Sequence, residues 1–171
     1  MEKNQRKCLA ETVNYSEEDA KFMMMAINLS EDNIDSGGGP FGAVIVRDGE
    51  VIATGTNRVV PNADPTAHAE VMAIRNACAA LGTFQLTGCT VYSSCEPCPM
   101  CLGAIYWARP KALYFAADQH TAAKHGFDDK FIYDEIAVPA EQRKIKTVRI
   151  VLDTQEEPFK EWTAKEDKVQ Y

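Results

Sequence analysis

The sequence has no apolar run long enough to span a membrane and few features of a secreted, fibrous or disordered chain. No stretch of about 18 apolar residues occurs, and the polar N-terminus contains no signal-like apolar segment. Basic residues are the minority, with 18 Lys and Arg against 25 Asp and Glu and a formal net charge of −7. Because this charge repels phosphate groups, we expect no nucleic-acid and no membrane partner. The chain is expected to be soluble and cytoplasmic, with a small neutral ligand.

Internal repeats and low-complexity segments are absent as well. The 171 residues are 46% hydrophobic and 25% charged, which is an ordinary globular mixture for one domain. We therefore predict a single domain over residues 1–171. The sequence leaves open whether residues 1–15 fold onto that domain.

The hydrophobic pattern predicts alternating helices and strands. Ser16 followed by three acidic residues is typical of a helix start, and the glycines at 37–39 indicate its end. Apolar runs at 41–46 and 51–54 flank a turn and predict a hairpin, with 41–46 as a central strand because both its faces are apolar. Further strands are predicted at 90–93, 112–116 and 148–152, and further helices at 71–81, 100–107 and 156–168. The pattern indicates an α/β sandwich with parallel strand pairs beyond the hairpin.

Cysteine is clustered rather than spread along the chain. Cys95, Cys98 and Cys101 lie within seven residues where one predicted helix opens, and His68 lies where another opens. A catalytic zinc ion takes three such ligands and keeps a fourth position for water. Helix N-termini also stabilise thiolates. The other cysteines, which are expected to be packed or incidental, are Cys8, Cys78 and Cys89.

Two overlapping C-x-x-C pairs leave the identity of the thiolate ligands to be decided. Pro97 is expected at the first helical position, which would place Cys98 and Cys101 on one helix face. We therefore predict His68, Cys98 and Cys101 as the zinc ligands. Cys95 is expected beside the site, and it remains the alternative ligand.

Glu70 follows His68 by two residues at the opening of the same helix. On a helix the two side chains differ in direction by roughly 200°, yet an open first turn lets both approach a cleft. A carboxylate beside a zinc-activated water can act as a general acid and base. Alone, Glu70 fits a solvated helix acid, and the C-x-x-C pairs fit a redox or structural-metal role. Together they favour a catalytic zinc site.

The motif His68-Ala69-Glu70 followed by Pro97-Cys98-Pro99-Met100-Cys101 resembles the zinc-dependent cytidine and nucleobase deaminases. Segments 38–46, 64–70, 95–110 and 126–129 are similar to short bacterial guanine deaminases. The resemblance implies a three-layer αβα sandwich of the cytidine deaminase type with a five-stranded mixed sheet. It also implies one zinc ion per subunit and hydrolysis of guanine to xanthine and ammonia.

The same resemblance assigns substrate-binding roles. Asn57 and the backbone N–H of Ala69 would form hydrogen bonds to the purine, and Asp129 would accept from its N–H groups. Phe41 and Trp107 would cover the faces of the base.

Each of these residues also has a simpler interpretation. Phe41 and Trp107 fit ordinary core packing, and Asn57 fits a turn residue. Asp128 and Asp129 fit a solvated acidic loop, and the preference for Asp129 depends on the resemblance alone.

The resemblance also predicts how the C-terminal segment is arranged. It implies a homodimer in which a segment of about residues 153–171 is exchanged between subunits, so that Tyr171 reaches the partner's site. The alternative is that the last few residues fray.

Two other functions fit the same motif. A tRNA adenosine or cytosine deaminase shares this metal site, although the basic cluster at 143–149 fits a solvated edge better than an RNA surface. A non-catalytic zinc module would need a fourth ligand, for which Cys95 is the candidate.

Overall fold

The computed structural model describes residues 15–171. Almost all of the segment 1–15, including Cys8, lies outside the described residues. The strands are β1 (Gly42–Arg47), β2 (Glu50–Thr56), β3 (Thr90–Cys95) and β4 (Ala112–Ala117). The helices are α1 (Glu17–Asp35), α2 (Val59–Asn62), α3 (Ala69–Leu81), α4 (Pro99–Ala108), α5 (Gln119–Lys124), α6 (Lys130–Ala137) and α7 (Glu157–Ala164), and a 3₁₀ turn spans Ala140–Gln142. Within this part of the chain, every helix is too short or too polar to cross a bilayer.

Helix α1 begins at the predicted cap. Ser16 Oγ accepts a hydrogen bond of 3.1 Å from Asp19 N, and Ser16 N donates one of 2.8 Å to Asp19 Oδ2. This reciprocal pair satisfies two of the free N–H groups at the helix start. The helix ends before Gly37, whose φ of +77° suits glycine.

The four strands form one mixed sheet in the order β2-β1-β3-β4. Strand β1 pairs antiparallel with both β2 and β3, and β3 pairs parallel with β4. The prediction of β1 as a central strand and of a parallel pair beyond the hairpin is confirmed.

Helices cover both faces of the sheet. On one face, Phe22 and Ala26 of α1 pack against Val44, Val46 and Tyr92. The opposite face carries α3, whose buried alanines pack with the alternate residues of β1 and β3; the cluster includes Ala43, Ile45, Ala69, Ala73, Ala77 and Val91. This alternation is the period-2 pattern of a strand buried on both sides. The three-layer arrangement follows from it.

Two glycines set the spacing between these layers. A Cβ at Gly42 would lie 2.4 Å from Ala26 O of α1, and one at Gly55 would lie 2.3 Å from Ala73 N of α3. Both distances are far below van der Waals contact. Glycine at these positions therefore lets one helix on each face approach the sheet closely.

The predicted fifth strand is absent from the described sheet, so the expectation of five strands is wrong for the single chain. Residues 148–152 form no ladder, and Ile150 is 77% exposed. A strand needs a neighbouring backbone for its hydrogen bonds, and β4 remains the sheet edge. The last predicted helix does form, as α7, although it spans Glu157–Ala164 and not the whole of 156–168, whereas α2, α5 and α6 were not predicted.

Candidate active site

A cleft of about 430 Å³ lies where the N-termini of α3 and α4 meet the loops at one end of the sheet. Its wall includes Phe41 before β1, Asn57 after β2, His68 and Glu70 at the start of α3, and Cys98 before α4. Residues from α5 to α6 close the remaining side. The cleft therefore joins distant parts of the sequence.

Both metal-binding motifs open helices. His68 is the N-cap of α3 and Cys98 is the N-cap of α4. Pro99, not Pro97 as expected, occupies the first position of α4. The helix therefore starts two residues after Pro97, and one residue before the predicted range of 100–107. Cys101 then lies in the first turn beside Cys98, so the two thiols still converge.

The three ligand atoms fit a zinc ion. His68 Nδ1 lies 3.6 Å from Cys98 Sγ and 3.4 Å from Cys101 Sγ. All three atoms lie within 4.8 Å of one another. Zinc bonds of about 2.3 Å to sulfur and about 2.0 Å to nitrogen in a tetrahedron place sulfur and nitrogen about 3.5 Å apart. His68, Cys98 and Cys101 thus form a site for zinc with three protein ligands.

Cys95 stands apart from these atoms. It is the last residue of β3, its thiol is buried, and its Sγ lies 4.0 Å from Asp118 O. Burial raises the pKa of the Cys95 thiol to about 11. The described cluster of candidate ligands does not include it.

The ligand set stabilises a thiolate. Hydrogen bonding from the Cys101 thiol, together with that from His68, lowers the pKa of Cys98 to about 4. The Cys98 thiolate in turn raises the pKa of Cys101 and of His68 through the same hydrogen bonds. The low pKa of Cys98 therefore favours a thiolate, the form of cysteine that binds zinc.

Glu70 lies in the first turn of α3 with 6% of its surface exposed. The Ser93 hydroxyl donates a hydrogen bond of 3.3 Å to Glu70 Oε1. Burial raises the pKa of Glu70 above its ordinary value. A carboxyl group of this kind can hold a proton and release it again.

The candidate substrate residues on the sheet side line the cleft. Asn57 is buried, and Phe41 meets Phe127 edge to face with ring centroids 4.9 Å apart. Ala69 is buried between the two cleft residues His68 and Glu70. An amide, an apolar wall and the metal ligands therefore face one space.

Asp128 and Asp129 both reach the cleft, but they differ in their partners. Asp128 Oδ1 accepts a hydrogen bond of 2.9 Å from Lys130 N. Asp129 makes no side-chain cap of α6, and burial followed by the nearby Cys98 thiolate raises its pKa. Among the described side-chain hydrogen bonds, Asp128 uses one carboxylate oxygen and Asp129 uses none.

Trp107 and Tyr171 do not reach this cleft within one chain. Trp107 is 64% exposed on α4, and its ring centroid lies 6.1 Å from that of Tyr171. The ring centroid of Tyr171 also lies 6.4 Å from that of Trp162 of α7. Trp107 and Tyr171, which were expected at the substrate, therefore lie with Trp162 in a separate group on the surface.

Glu96, Gln119 and Phe127 line the cleft as well, although sequence reasoning gave them no role. Glu96 Oε2 accepts a hydrogen bond of 2.9 Å from Gln119 N, which fixes the start of α5 at the cleft. The one indication of Glu96 in the sequence was its position between Cys95 and Cys98.

In this α/β sandwich, one histidine and two thiols at the starts of two helices lie beside a buried carboxyl group. This arrangement defines a zinc-binding hydrolytic site. Residues 16–117 match the family model described as the cytidine and deoxycytidylate deaminase zinc-binding region, and the chain belongs to this family.

Two guanine deaminases are similar to this chain. The guanine deaminase of Bacillus subtilis (strain 168) is 54% identical over 151 residues, which is 88% of this chain and 97% of the relative. Its crystal structure superposes with a TM-score of 0.88 over 89% of this chain and 98% of that one. The structure of the guanine deaminase from Nitrosomonas europaea is 37% identical, with a TM-score of 0.63 over 67% of this chain and 65% of that chain.

A tRNA-specific adenosine deaminase is also related, over a shorter region. The protein of Aquifex aeolicus (strain VF5) is 41% identical over 106 residues, or 61% of this chain and 68% of the relative. The likeness to the Bacillus subtilis protein extends much further along the chain.

Proposed function

We propose that this protein is a zinc-dependent guanine deaminase that converts guanine and water to xanthine and ammonia. The observation that carries the proposal is the 54% identity to the Bacillus subtilis guanine deaminase over 88% of the chain. Residues 1–171 act in this proposal as one deaminase domain of purine metabolism. The five described cysteines are free, which agrees with a reducing cytoplasmic location.

His68, Cys98 and Cys101 would hold the zinc ion. With three protein ligands, zinc supplies a fourth position for water and lowers the pKa of that water. The protein's part is to keep both helix starts in place, because each provides a ligand at its N-cap.

Glu70 would move the proton. Its carboxylate takes a proton from the attacking water at Oε and gives it to the exocyclic nitrogen of the base. A carbon–oxygen bond forms, the carbon–nitrogen bond breaks, and ammonia leaves. Burial raises the pKa of Glu70, which makes its carboxylate a stronger base for taking this proton.

The base would lie between polar groups at its edges and apolar groups at its faces. The Asn57 amide and the Ala69 N–H would donate to ring acceptors, and the Asp129 carboxylate would accept from the N–H groups of guanine. Phe41 would stack against one face, supported by Phe127. A site that satisfies a carboxylate in this way rejects bases without those donors.

A homodimer with exchanged C-terminal segments would complete the site, with Trp107 and Tyr171 acting there. Two observations support it. The apolar side chains of Ile145, Val148 and Ile150 are exposed in the single chain, and the edge of β4 is unpaired in the described sheet. A partner's residues 148–152 could add to that edge as a fifth strand. Sedimentation equilibrium should give twice the chain mass, and a monomer at all concentrations would contradict the dimer.

The function is tested by ammonia release from the zinc-loaded protein with guanine, adenine, cytosine, cytidine and a tRNA anticodon stem-loop in parallel. Turnover of guanine is expected, together with its loss in Glu70→Gln at unchanged zinc content. Turnover of the stem-loop instead would favour a tRNA adenosine deaminase. If no substrate releases ammonia, a structural role for zinc gains support.

A further inference from the structure

A buried amide on α1 connects two loops that border the cleft. Asn33 is 3% exposed and lies near the C-terminal end of α1. Its Nδ2 donates hydrogen bonds of 2.8 Å to Gly39 O and 2.9 Å to Asn57 O. Both acceptors are carbonyl oxygens, so the nitrogen of the Asn33 amide must face them. One side chain thereby joins the loop before β1 to the loop after β2.

The Asn57 side chain faces hydrogen-bond donors, whereas the Asn33 amide nitrogen faces acceptors. Asn57 Oδ1 lies 3.4 Å from Gly39 N and 3.3 Å from Val59 N. Both of these groups are donors, so the oxygen of the Asn57 amide must face the backbone. Within residues 15–171 its Nδ2 has no hydrogen bond to protein, and the residue lines the cleft. Asn57 therefore presents a donor to a ligand.

The same two loops leave no space for a side chain between them. A Cβ at Gly38 would lie 2.2 Å from Asn33 Nδ2 and 2.2 Å from Asn57 O. Gly38 N also donates a 3.1 Å hydrogen bond to Asn33 O. Asn33 thus contacts this loop through both its backbone and its side chain.

We infer that Asn33 is a positioning residue that fixes Asn57 with its amide nitrogen toward the cleft. Asn33 holds the carbonyl groups of Gly39 and Asn57 together, and this keeps Gly39 N at the oxygen of the Asn57 side chain. Without that contact, the Asn57 amide could turn and present an acceptor instead. The inference rests on the proposed function, because it assigns Asn57 a hydrogen bond to the purine.

The test uses the isosteric variant Asn33→Asp in the full-length zinc-loaded protein, with Asn33→Ala as the second variant. Asn76→Asp is the matched control, because Asn76 Nδ2 also donates to a backbone carbonyl, Thr54 O, at 2.9 Å. We expect kcat/KM for guanine to fall at least tenfold in either Asn33 variant, mainly through KM. The control should stay within twofold of the wild type.

A double-mutant cycle separates positioning from general stability. In an Asn57→Ala background, Asn33→Asp should lower kcat/KM by less than twofold further, since the residue through which it acts is gone. Losses that multiply in the double variant would overturn the inference. Loss of zinc and folding in both Asn33 variants would make Asn33 a structural residue, and this too would overturn it.

Amide hydrogen exchange gives a readout that does not depend on the substrate. Exchange in residues 37–41 and 57–59 should become faster in Asn33→Asp and remain unchanged in Asn76→Asp. If the wild type fails to deaminate guanine, the proposed function falls, and this measurement alone decides the positioning role. Unchanged exchange in these two loops would overturn it.

Discussion

The Ser93 hydroxyl donates a hydrogen bond of 3.3 Å to Glu70 Oε1, and the buried Glu70 lines the cleft. Ser93 is 2% exposed on β3, and Glu70 lies in the first turn of α3. The sheet therefore orients a carboxyl group that a helix supplies. Among the described hydrogen bonds, this is the one that joins the sheet to the Glu70 side chain.

Replacing Ser93 by Ala is expected to lower kcat about tenfold, which corresponds to about 1.4 kcal/mol. Hydrogen bonds to charged groups are worth about this much, and Ser93 is not among the described residues that line the cleft. Steady-state kinetics with guanine should show the loss in kcat with little change in KM.

Ser94→Ala is the control for this prediction. Ser94 is also buried on β3, but its Oγ accepts a hydrogen bond of 3.0 Å from Gly42 N. This variant should reduce stability and leave kcat almost unchanged. Equal losses of kcat in the two variants would contradict an orienting role for Ser93.

Zinc content should distinguish Cys101, a predicted ligand, from Cys95. Cys101→Ala is expected to lose most of the bound metal because Cys101 Sγ lies 3.4 Å from His68 Nδ1. Cys95→Ala is expected to retain it, since its thiol lies outside the ligand cluster. Elemental analysis of the purified variants measures this. The reverse pattern would move the ligand assignment to Cys95.

The two adjacent aspartates should differ in their effect on substrate binding. Asp129→Asn is expected to raise KM for guanine about tenfold or more, because an amide replaces a charged acceptor. Asp128→Asn keeps an oxygen for Lys130 N and should behave like the wild type. Steady-state kinetics of both variants is the test, and a larger effect at Asp128 would exchange the two roles.

The acid stability of the protein should depend on Tyr92. Its hydroxyl donates a hydrogen bond of 2.6 Å to Asp19 Oδ1, and this bond, with those from Ser16, lowers the pKa of Asp19. A lowered pKa contributes stability above the ordinary carboxyl pKa of about 4, and this contribution is lost as the pH falls further. Tyr92→Phe should therefore cost about 1 kcal/mol at pH 7 and less at pH 3.5.

Urea unfolding at both pH values measures that difference. Tyr114→Phe is the control. The Tyr114 ring stacks on the Tyr92 ring with centroids 5.3 Å apart, and this variant keeps the hydrogen bond between Tyr92 and Asp19. An equal cost of Tyr92→Phe at both pH values would show that the hydroxyl matters for another reason.

Removal of residues 169–171 should preserve the fold and zinc content but lower turnover. The reason is the proposed exchange of C-terminal segments, in which Tyr171 completes the partner's site. Circular dichroism, zinc analysis and kinetics of the truncated protein test this. Unchanged turnover would show that Tyr171 has no part in the site.

The sequence predicted the elements with strong periodicity. It also singled out His68, Cys98 and Cys101 as the zinc ligands, although the argument that chose between the cysteines, Pro97 at the helix start, is wrong. Helix α1 was predictable because Ser16 and Asp19 form a local cap. The fifth strand predicted at 148–152 does not form in the described sheet, because a strand needs a neighbouring backbone for its hydrogen bonds and these residues have none. The sequence also gave no indication of the role of Asn33, because its hydrogen-bond partners, Gly39 and Asn57, come close to it only after folding.

His68 and Cys98 each occupy an N-cap position, so a bound zinc ion would link the starts of α3 and α4 directly. Any ligand that binds the folded chain and not the unfolded one raises the free energy of unfolding logarithmically with its concentration. The melting temperature of this protein should therefore rise with free zinc over several decades. The thermal stability of the fold would then report the concentration of free zinc. A chelator should destabilise the starts of α3 and α4 together.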